Sequence, residues 1–373
     1  MHSVQLHYTL NHRDDATNAS SKETALLRHP LMALLQAVDQ QGSISAAARQ
    51  MGLSYRHVWG ELKRWEDVLG HELIVWEKGQ SARLTDFGNK LMWAERQTQA
   101  RLAPQLEALR ADLERTFAVA FDPQAHVLTL YASHDDALPL LREHAASAGL
   151  HLDTRFCGSV DAIRALNEGR CTLAGFHTQN HPDKTSHTAK AYRDLLKPGL
   201  HKIIGFATRT QGLITAAGNP KKLTNLIDVA QTQARFVQRS PGTGTRVLLD
   251  DLLAAQQLTT HDLNNWPDEE PSHTALAEAI ASGRCDVGLG IESTARARGL
   301  GFVPLVQEKF HLVCLKVALD TPATQALRSV LQDITWSQVL NTLPGYQAAG
   351  SGQVQSLSAQ LPWWTFKRMK ATG

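Results

Sequence analysis

The chain has 373 residues, 43% of them apolar and 20% charged, with a formal net charge of +2. That length predicts two or three domains with ample core, and the even charge balance excludes a uniformly basic coat, so a nucleic-acid surface has to be a local patch. Four cysteines at 157, 171, 285 and 314 form no CxxC pair; with no basic-then-apolar leader and no run of 18 apolar residues, the expectation is a cytoplasmic protein without a zinc knuckle or a membrane span.

A short strand, "VQLHYTL", and a polar arm, "NHRDDATNASSKET", come first. Leu31, Leu34, Leu35 and Val38 then fall at helical spacing, and Gly42 ends that helix. Ser43 caps a short second helix that holds Ser45, Ala46, Ala47, Ala48 and Met51, where the alanines let a neighbouring helix approach closely. Gly52 makes a tight turn and Ser54 caps a third helix. In that helix Val58, Leu62 and Trp65 form the expected buried stripe, while Tyr55, Arg56, His57, Lys63 and Arg64 lie off it. A helix held by one apolar face, with polar and basic groups free for a major groove, is what a helix-turn-helix requires. "HELIVWEKGQSARLT" follows as two strands around a turn, a wing from which Lys78 and Arg83 reach phosphates. A generic helical hairpin is the competing reading, but caps, small residues and wing agree on DNA binding for residues 1–85.

"GSISAAARQMGLSYRHVWGELKRWEDVLGHELIVWEKGQSARLTDFG" resembles the N-terminal winged helix-turn-helix of LysR-type regulators, and within them the molybdate-responsive branch. The resemblance covers about residues 25–120. It implies DNA binding through the helix that starts at Ser54 and dimerisation through the helix that follows.

Residues 86–120 read as that long helix. Phe87, Leu91, Ala94, Thr98, Leu102, Leu106, Leu109, Leu113 and Phe117 step by three or four, a coiled-coil-like seam. A single long helix buries such a stripe most simply against a two-fold partner, which predicts a homodimer and allows a homotetramer. Packing against the chain's own C-terminal domain is the alternative. Pro104 interrupts the seam and is expected to kink or restart the helix.

From 121 to 373 short apolar strands alternate with helices, as in an α/β domain with a mainly parallel sheet. The fold class expected is therefore multidomain: a mainly α winged helix-turn-helix, a linker helix and a two-lobed α/β domain. Several strands end in small or hydroxyl residues at helix N-termini, where backbone N–H groups and the helix dipole favour anions. Ser133, His134 and Asp135 follow the first strand, and Gly158 and Ser159 the second, placed opposite Ser133. His177 follows another strand. "SPGTGTR" supplies Thr243, Gly244, Thr245 and Arg246, and "DVGLGIES" ends at Glu292.

"SPGTGTR" lacks the spacing and lysine of a phosphate-binding P-loop. No GxSxG or HExxH motif occurs, and adjacent residues in "SHDD" make no catalytic triad, so no enzyme activity is expected. "HTQNHPDKTSH" brings His177, His181 and His187 close in sequence, but a solvated or cleft-lining role fits them better than a metal. The aromatic, basic end "PWWTFKRMK" has no assigned role.

"ASGRCDVGLG" and "GLITAAGNPKKLTNLIDVA…ARFVQRSPGTGTRVLLDDLL" resemble periplasmic-binding-protein-like domains related to molybdate receptors. The resemblance implies two lobes that close over a ligand, with molybdate or tungstate as effector and no cofactor. Relatives carry a Tyr-Asp pair where this chain has Phe310 and His311, which brings in formate or another small carboxylate, linked to control of a molybdenum enzyme. The expected function is a one-component transcriptional regulator whose partners are double-stranded DNA and a small anion; an oxyanion store without a regulatory role is the alternative.

Overall fold

The computed structural model describes residues 29–75, 81–121, 125–180 and 182–364. The expected first strand, the polar arm, Lys78, His181 and residues 365–373 lie outside them. The chain divides into two compact units, 1–102 and 103–373.

In the first unit, α1 (Pro30–Gln41) starts with proline at its first position and ends at Gly42, whose φ of +59° a side chain would strain. The Ser43 Oγ accepts the Ala46 N–H at 3.4 Å and starts α2 (Ile44–Gln50). The Ser54 Oγ accepts the His57 N–H at 3.1 Å and starts α3 (Tyr55–Leu69). Leu31, Leu34, Leu35, Val38, Ala47, Ala48, Val58 and Leu62 form one core. Each large member contributes about 1.5–3 kcal/mol by leaving water. The wing strands β1 (Ile74–Val75) and β2 (Arg83–Leu84) pair antiparallel.

The stripe on α3 differs from expectation. Trp65 is half-buried, with its ring edge-on to His29, and Glu66 is buried in its place. The Glu66 carboxylate accepts the N–H of Leu73 at 2.8 Å and of Ile74 at 3.4 Å, and takes the Lys63 ammonium at 2.6 Å. The recognition helix thereby pins the start of the wing, and removing this acceptor would orphan two buried donors at about 1–3 kcal/mol.

The long helix α4 (Asp86–Phe121) runs without a break through Pro104. The restart expected there does not occur; the helix carries the proline at the cost of one backbone hydrogen bond. Met92 and Ala111 are buried, whereas Leu109, Leu113, Phe117 and Phe121 are exposed, Phe121 at 87%.

The second unit continues with β3 (His126–Ala132), α5 (Ala137–Ser147), β4 (Leu150–Phe156), α6 (Ser159–Asn167), β5 (Leu173–Gln179), α7 (His187–Tyr192) and β6 (His201–Thr215). A second run holds α8 (Leu226–Gln231), β7 (Arg235–Arg239), α9 (Gly244–Ala255), β8 (Asn264–Glu270), α10 (His273–Ala281), β9 (Val287–Ile291) and α11 (Glu292–Arg296). The chain returns through β10 (Gly301–Leu315) to α12 (Pro322–Gln332), α13 (Ile334–Leu340), β11 (Tyr346–Gln347), β12 (Val354–Ser356) and α14 (Leu357–Gln360).

The sheet order is β4-β3-β5-β10-β6-β9-β7-β8, with β11 and β12 also on β6. Strands β3–β5 are parallel and form one lobe; β7–β9 are parallel and form the other. The fifteen-residue strands β6 and β10 pair antiparallel between them. The sheet is therefore mixed, not mainly parallel, because the chain passes between the lobes twice. Phe206, Phe310 and Trp336 anchor one lobe's core, and Phe236, Leu249 and Leu289 the other's.

The lobes meet at their strand ends. The Val160 N–H donates to the Gly242 carbonyl at 3.3 Å across the cleft. A Cβ on Gly158 would lie 2.7 Å from that same carbonyl, so glycine is what lets the two turns touch.

Candidate functional site

The turn after β3 and the N-terminus of α6 place Ser133 Oγ 3.4 Å from Ser159 Oγ, and Ser159 Oγ lies 3.5 Å from His177 Nδ1 on β5. From the other lobe, Gly244 packs on the His177 ring. Thr245 accepts from Gln211 Nε2 at 3.0 Å and lies 3.4 Å from His273 Nε2. Ser133, Ser159, His177, Gly244 and Thr245 are thus brought together, all of them buried.

Other expected site residues have their groups committed elsewhere. The Thr243 hydroxyl donates to the Ser240 carbonyl at 2.8 Å and caps α9, so it has no donor left for a ligand. Arg246 turns outward to Glu269, 3.5 Å away. Three residues past the cap, its side chain leaves the helix on the far side from the turn. Glu292 pairs with Arg296 one helical turn on. Asp135 accepts the Ala137 N–H at 2.8 Å, while its neighbour Asp136 takes the hydroxyls of Ser293 and Thr294 from the other lobe. His134 is buried, with Nε2 3.5 Å from Glu107 on α4.

The charges in this cleft come from residues the sequence reading did not select. Arg209, in the middle of β6, donates to Asp135 and Glu308. Tyr346 Oη donates to Asp135 at 2.8 Å, and Gln211 Nε2 to Glu308 at 2.8 Å. Burial opposes the charge on Arg209, but Glu308 and Asp135 outweigh it and raise its pKa.

Arg239, the last residue of β7, is 2% exposed. It donates only to carbonyls, those of Glu270 at 3.1 Å and Pro271 at 2.9 Å. Its Nη1 is buried without a partner, and it makes no ion pair among the described residues. Burial, then repulsion from Arg209, lowers its pKa to about 9. The same two causes, with Arg239 added, hold His177 and His273 well below the ordinary imidazole range. His177 Nε2, His273 Nδ1, His134 Nδ1 and Gln211 Oε1 are also buried without partners. A buried cation and polar atoms without partners are costly unless something bonds to them. Arg239 directly precedes "SPGTGTR", and that adjacency was the available signal for it.

On the first unit, Ser45, Ser54, Tyr55, Arg56, His57, Lys63, Arg64 and Arg83 are all exposed, and Ser43 is half-buried. The Lys63 ammonium rests on Glu66, and Arg64 pairs with Glu61 at 2.6 Å. Arg56 and Arg83 are exposed and form no ion pair among the described residues. Among the described residues no cluster could hold a metal ion, and no helix is long and apolar enough to cross a membrane.

An exposed recognition helix with a wing, joined in one chain to a two-lobed α/β domain, defines a DNA-binding regulator with an effector-binding domain. Residues 141–332 match the PBP superfamily domain, and residues 30–89 match the bacterial regulatory helix-turn-helix protein family, lysR family. The chain belongs to the PBP superfamily and carries a LysR-type helix-turn-helix.

The chain is 25% identical over 234 residues to the uncharacterized protein YvgK of Bacillus subtilis (strain 168), covering 62% of this chain and 75% of that protein. It is 35% identical over 86 residues to the molybdenum-pterin-binding protein MopB of Rhodobacter capsulatus, covering 22% of this chain and 32% of MopB. Among solved structures, the Corynebacterium glutamicum OxyR C206 mutant is similar with a TM-score of 0.41 and 14% identity, over 80% of this chain and 88% of that one. The L-phospholactate-bound PEB3 structure is similar with a TM-score of 0.43 and 16% identity, over 59% and 99%.

Proposed function

We propose that the effector is a small oxyanion, bound in the cleft by Arg239 Nη1 with Ser133, Ser159, His177 and Thr245 around it. The observation that carries this reading is the buried Arg239 guanidinium, which has backbone carbonyls but no carboxylate as partners. The N-termini of α6 and α9 add N–H donors and dipole from opposite lobes. Molybdate, tungstate and small carboxylates all belong to this class.

The anion stabilises the closed arrangement because its donors come from both lobes, and only a ligand that prefers one arrangement can shift the balance. The exposed stripe Leu109, Leu113, Phe117 and Phe121 on α4 seats a second copy of the chain. The regulator then binds two half-sites as a dimer, or as a pair of dimers, and closure changes their spacing.

The test uses DNA selected from a random pool by the full-length protein. Adding the bound anion should change the affinity for that DNA several-fold. An affinity identical with and without an anion that demonstrably binds would overturn the regulatory reading.

A further inference from the structure

Asp135, Arg209, Glu308 and Arg239 are each no more than 2% exposed and form one charged centre at the cleft. Two carboxylates share the single Arg209, while Arg239 has none. The buried Glu270 has its own partner in Arg284, at 3.4 Å. These two cations and two carboxylates cancel one another before any ligand enters; the half-buried Asp136, held by the hydroxyls of Ser293 and Thr294, is a third carboxylate that acts on Arg239. A bound anion leaves this buried centre negative, and a buried net charge is costly.

Resting on the oxyanion site above, we propose that the effector is a singly charged oxyanion of the carboxylate type and that its binding takes up one proton on Glu308. With Glu308 neutral, Arg209 pairs with Asp135, Arg239 pairs with the ligand, and each fully buried charge of the four again has one opposite partner. A doubly charged tetrahedral oxyanion would need a second proton. Glu308 is built to accept the proton: Arg209 Nε and Gln211 Nε2 both donate to Oε1, and Oε2 makes no hydrogen bond among the described residues. Burial already raises its pKa above the ordinary carboxylate range, against the pull of Arg209.

Arg209 and Gln211 on β6, Asp135 after β3 and Tyr192 on α7 act on Glu308 directly; the other titratable and charged groups of the centre are His177 on β5, Arg239 on β7, His273 on α10, Tyr346 on β11, Asp136 and Glu270. The imidazoles of His177 and His273 compete for a proton near neutrality, and burial with Arg209 and Arg239 nearby holds both in the neutral form.

The test is calorimetric titration of the full-length protein with formate, nitrate and molybdate at pH 6, 7 and 8, in two buffers of different ionisation heat. The tightest singly charged anion should bring about one proton with it, lose up to about tenfold in affinity per pH unit, and bind at least tenfold more tightly than molybdate at pH 7. Glu308→Gln should bind it with one affinity at all three pH values and no proton uptake. Anion binding without proton uptake, or molybdate binding the more tightly, overturns the proposal and leaves the oxyanion site standing. Proton uptake that persists in Glu308→Gln overturns it too, by assigning the proton to an imidazole. Failure of all three anions to bind overturns the proposal, and failure of acetate, tungstate, sulfate and phosphate as well removes the oxyanion site itself.

Discussion

His134 Nε2 lies 3.5 Å from Glu107 Oε1, and this contact ties the turn after β3 to the long helix α4. The His134 ring packs at a tilt against Phe156, 5.0 Å away, and is buried, so it cannot move without moving the turn. Arg142 reinforces the joint by donating to the Glu107 carbonyl at 3.4 Å. In the proposed site, a ligand that draws on the neighbouring Ser133 would therefore be felt at α4. Glu107→Gln should keep anion affinity within about threefold, since a neutral amide still accepts a hydrogen bond. It should weaken the effect of the anion on DNA binding. Fluorescence anisotropy on selected DNA measures this, and a full response in the variant would place the coupling elsewhere.

The two threonines of the "SPGTGTR" turn have different tasks. Thr243 is a helix cap, so Thr243→Val should lower stability by about 1 kcal/mol. Thr245 joins Gln211 to His273, so Thr245→Val should weaken anion binding about tenfold by leaving buried polar groups unpaired. Urea unfolding and anion titration on both variants separate the two effects. Thr243→Val losing more anion affinity than Thr245→Val at unchanged stability would reverse the assignment.

The buried imidazoles predict a loss of stability in mild acid. His177, His273, His201 and His311 all have lowered pKa values, His311 about 3, with burial the largest cause in each. In the unfolded chain each titrates near 6.5, so below that pH the unfolded state binds more protons than the fold. Stability is then present above about pH 6.5 and falls by about 1.4 kcal/mol per pH unit for each such group as the pH drops. Glu308, with its raised pKa, acts in the opposite sense but is a single group. The midpoint of urea unfolding should be lower at pH 5.5 than at pH 7.5. Equal midpoints would mean that these rings protonate in the fold.

On the DNA face, charges that are already paired should matter less than free ones. Arg56→Ala or Arg83→Ala should weaken binding across all sequences and lower the salt slope by about 1 each. Lys63→Ala and Arg64→Ala should cost less, because Glu66 and Glu61 already hold those charges. DNA affinity measured over a range of salt concentrations decides, and the reverse ranking would move the phosphate contacts to the other end of the recognition helix.

How much of this was legible in the sequence depended on whether the signal was local. Gly42, Ser43, Gly52 and Ser54 mark the ends of their helices through caps and turns that involve neighbours in the chain. The turn residues of the cleft were legible for the same reason, since Ser133, Ser159 and Thr245 each follow a strand. The charged centre was not. Arg209 and Glu308 sit inside long strands and pair across 99 residues of sequence, so only the register of β6 on β10 places them together. A place within the turn favours Arg246 over Arg239 in the sequence, but position in a turn does not fix where a side chain points. Glu66 shows the same limit on a helix, where a buried carboxylate took a position expected to be apolar because the wing needed an acceptor.

The central claim is that Arg239 is the cation of an anion-sensing cleft. A thermal-shift series with formate, acetate, nitrate, molybdate, tungstate, sulfate and phosphate tests it most directly, on the wild type and on Arg239→Gln. At least one anion should raise the wild-type melting temperature with concentration. Loss of the charged hydrogen bond, about 1.5–3 kcal/mol, should reduce that anion's affinity in the variant by roughly ten- to a hundredfold. A series in which no anion stabilises the wild type, or in which Arg239→Gln responds as the wild type does, would contradict the account.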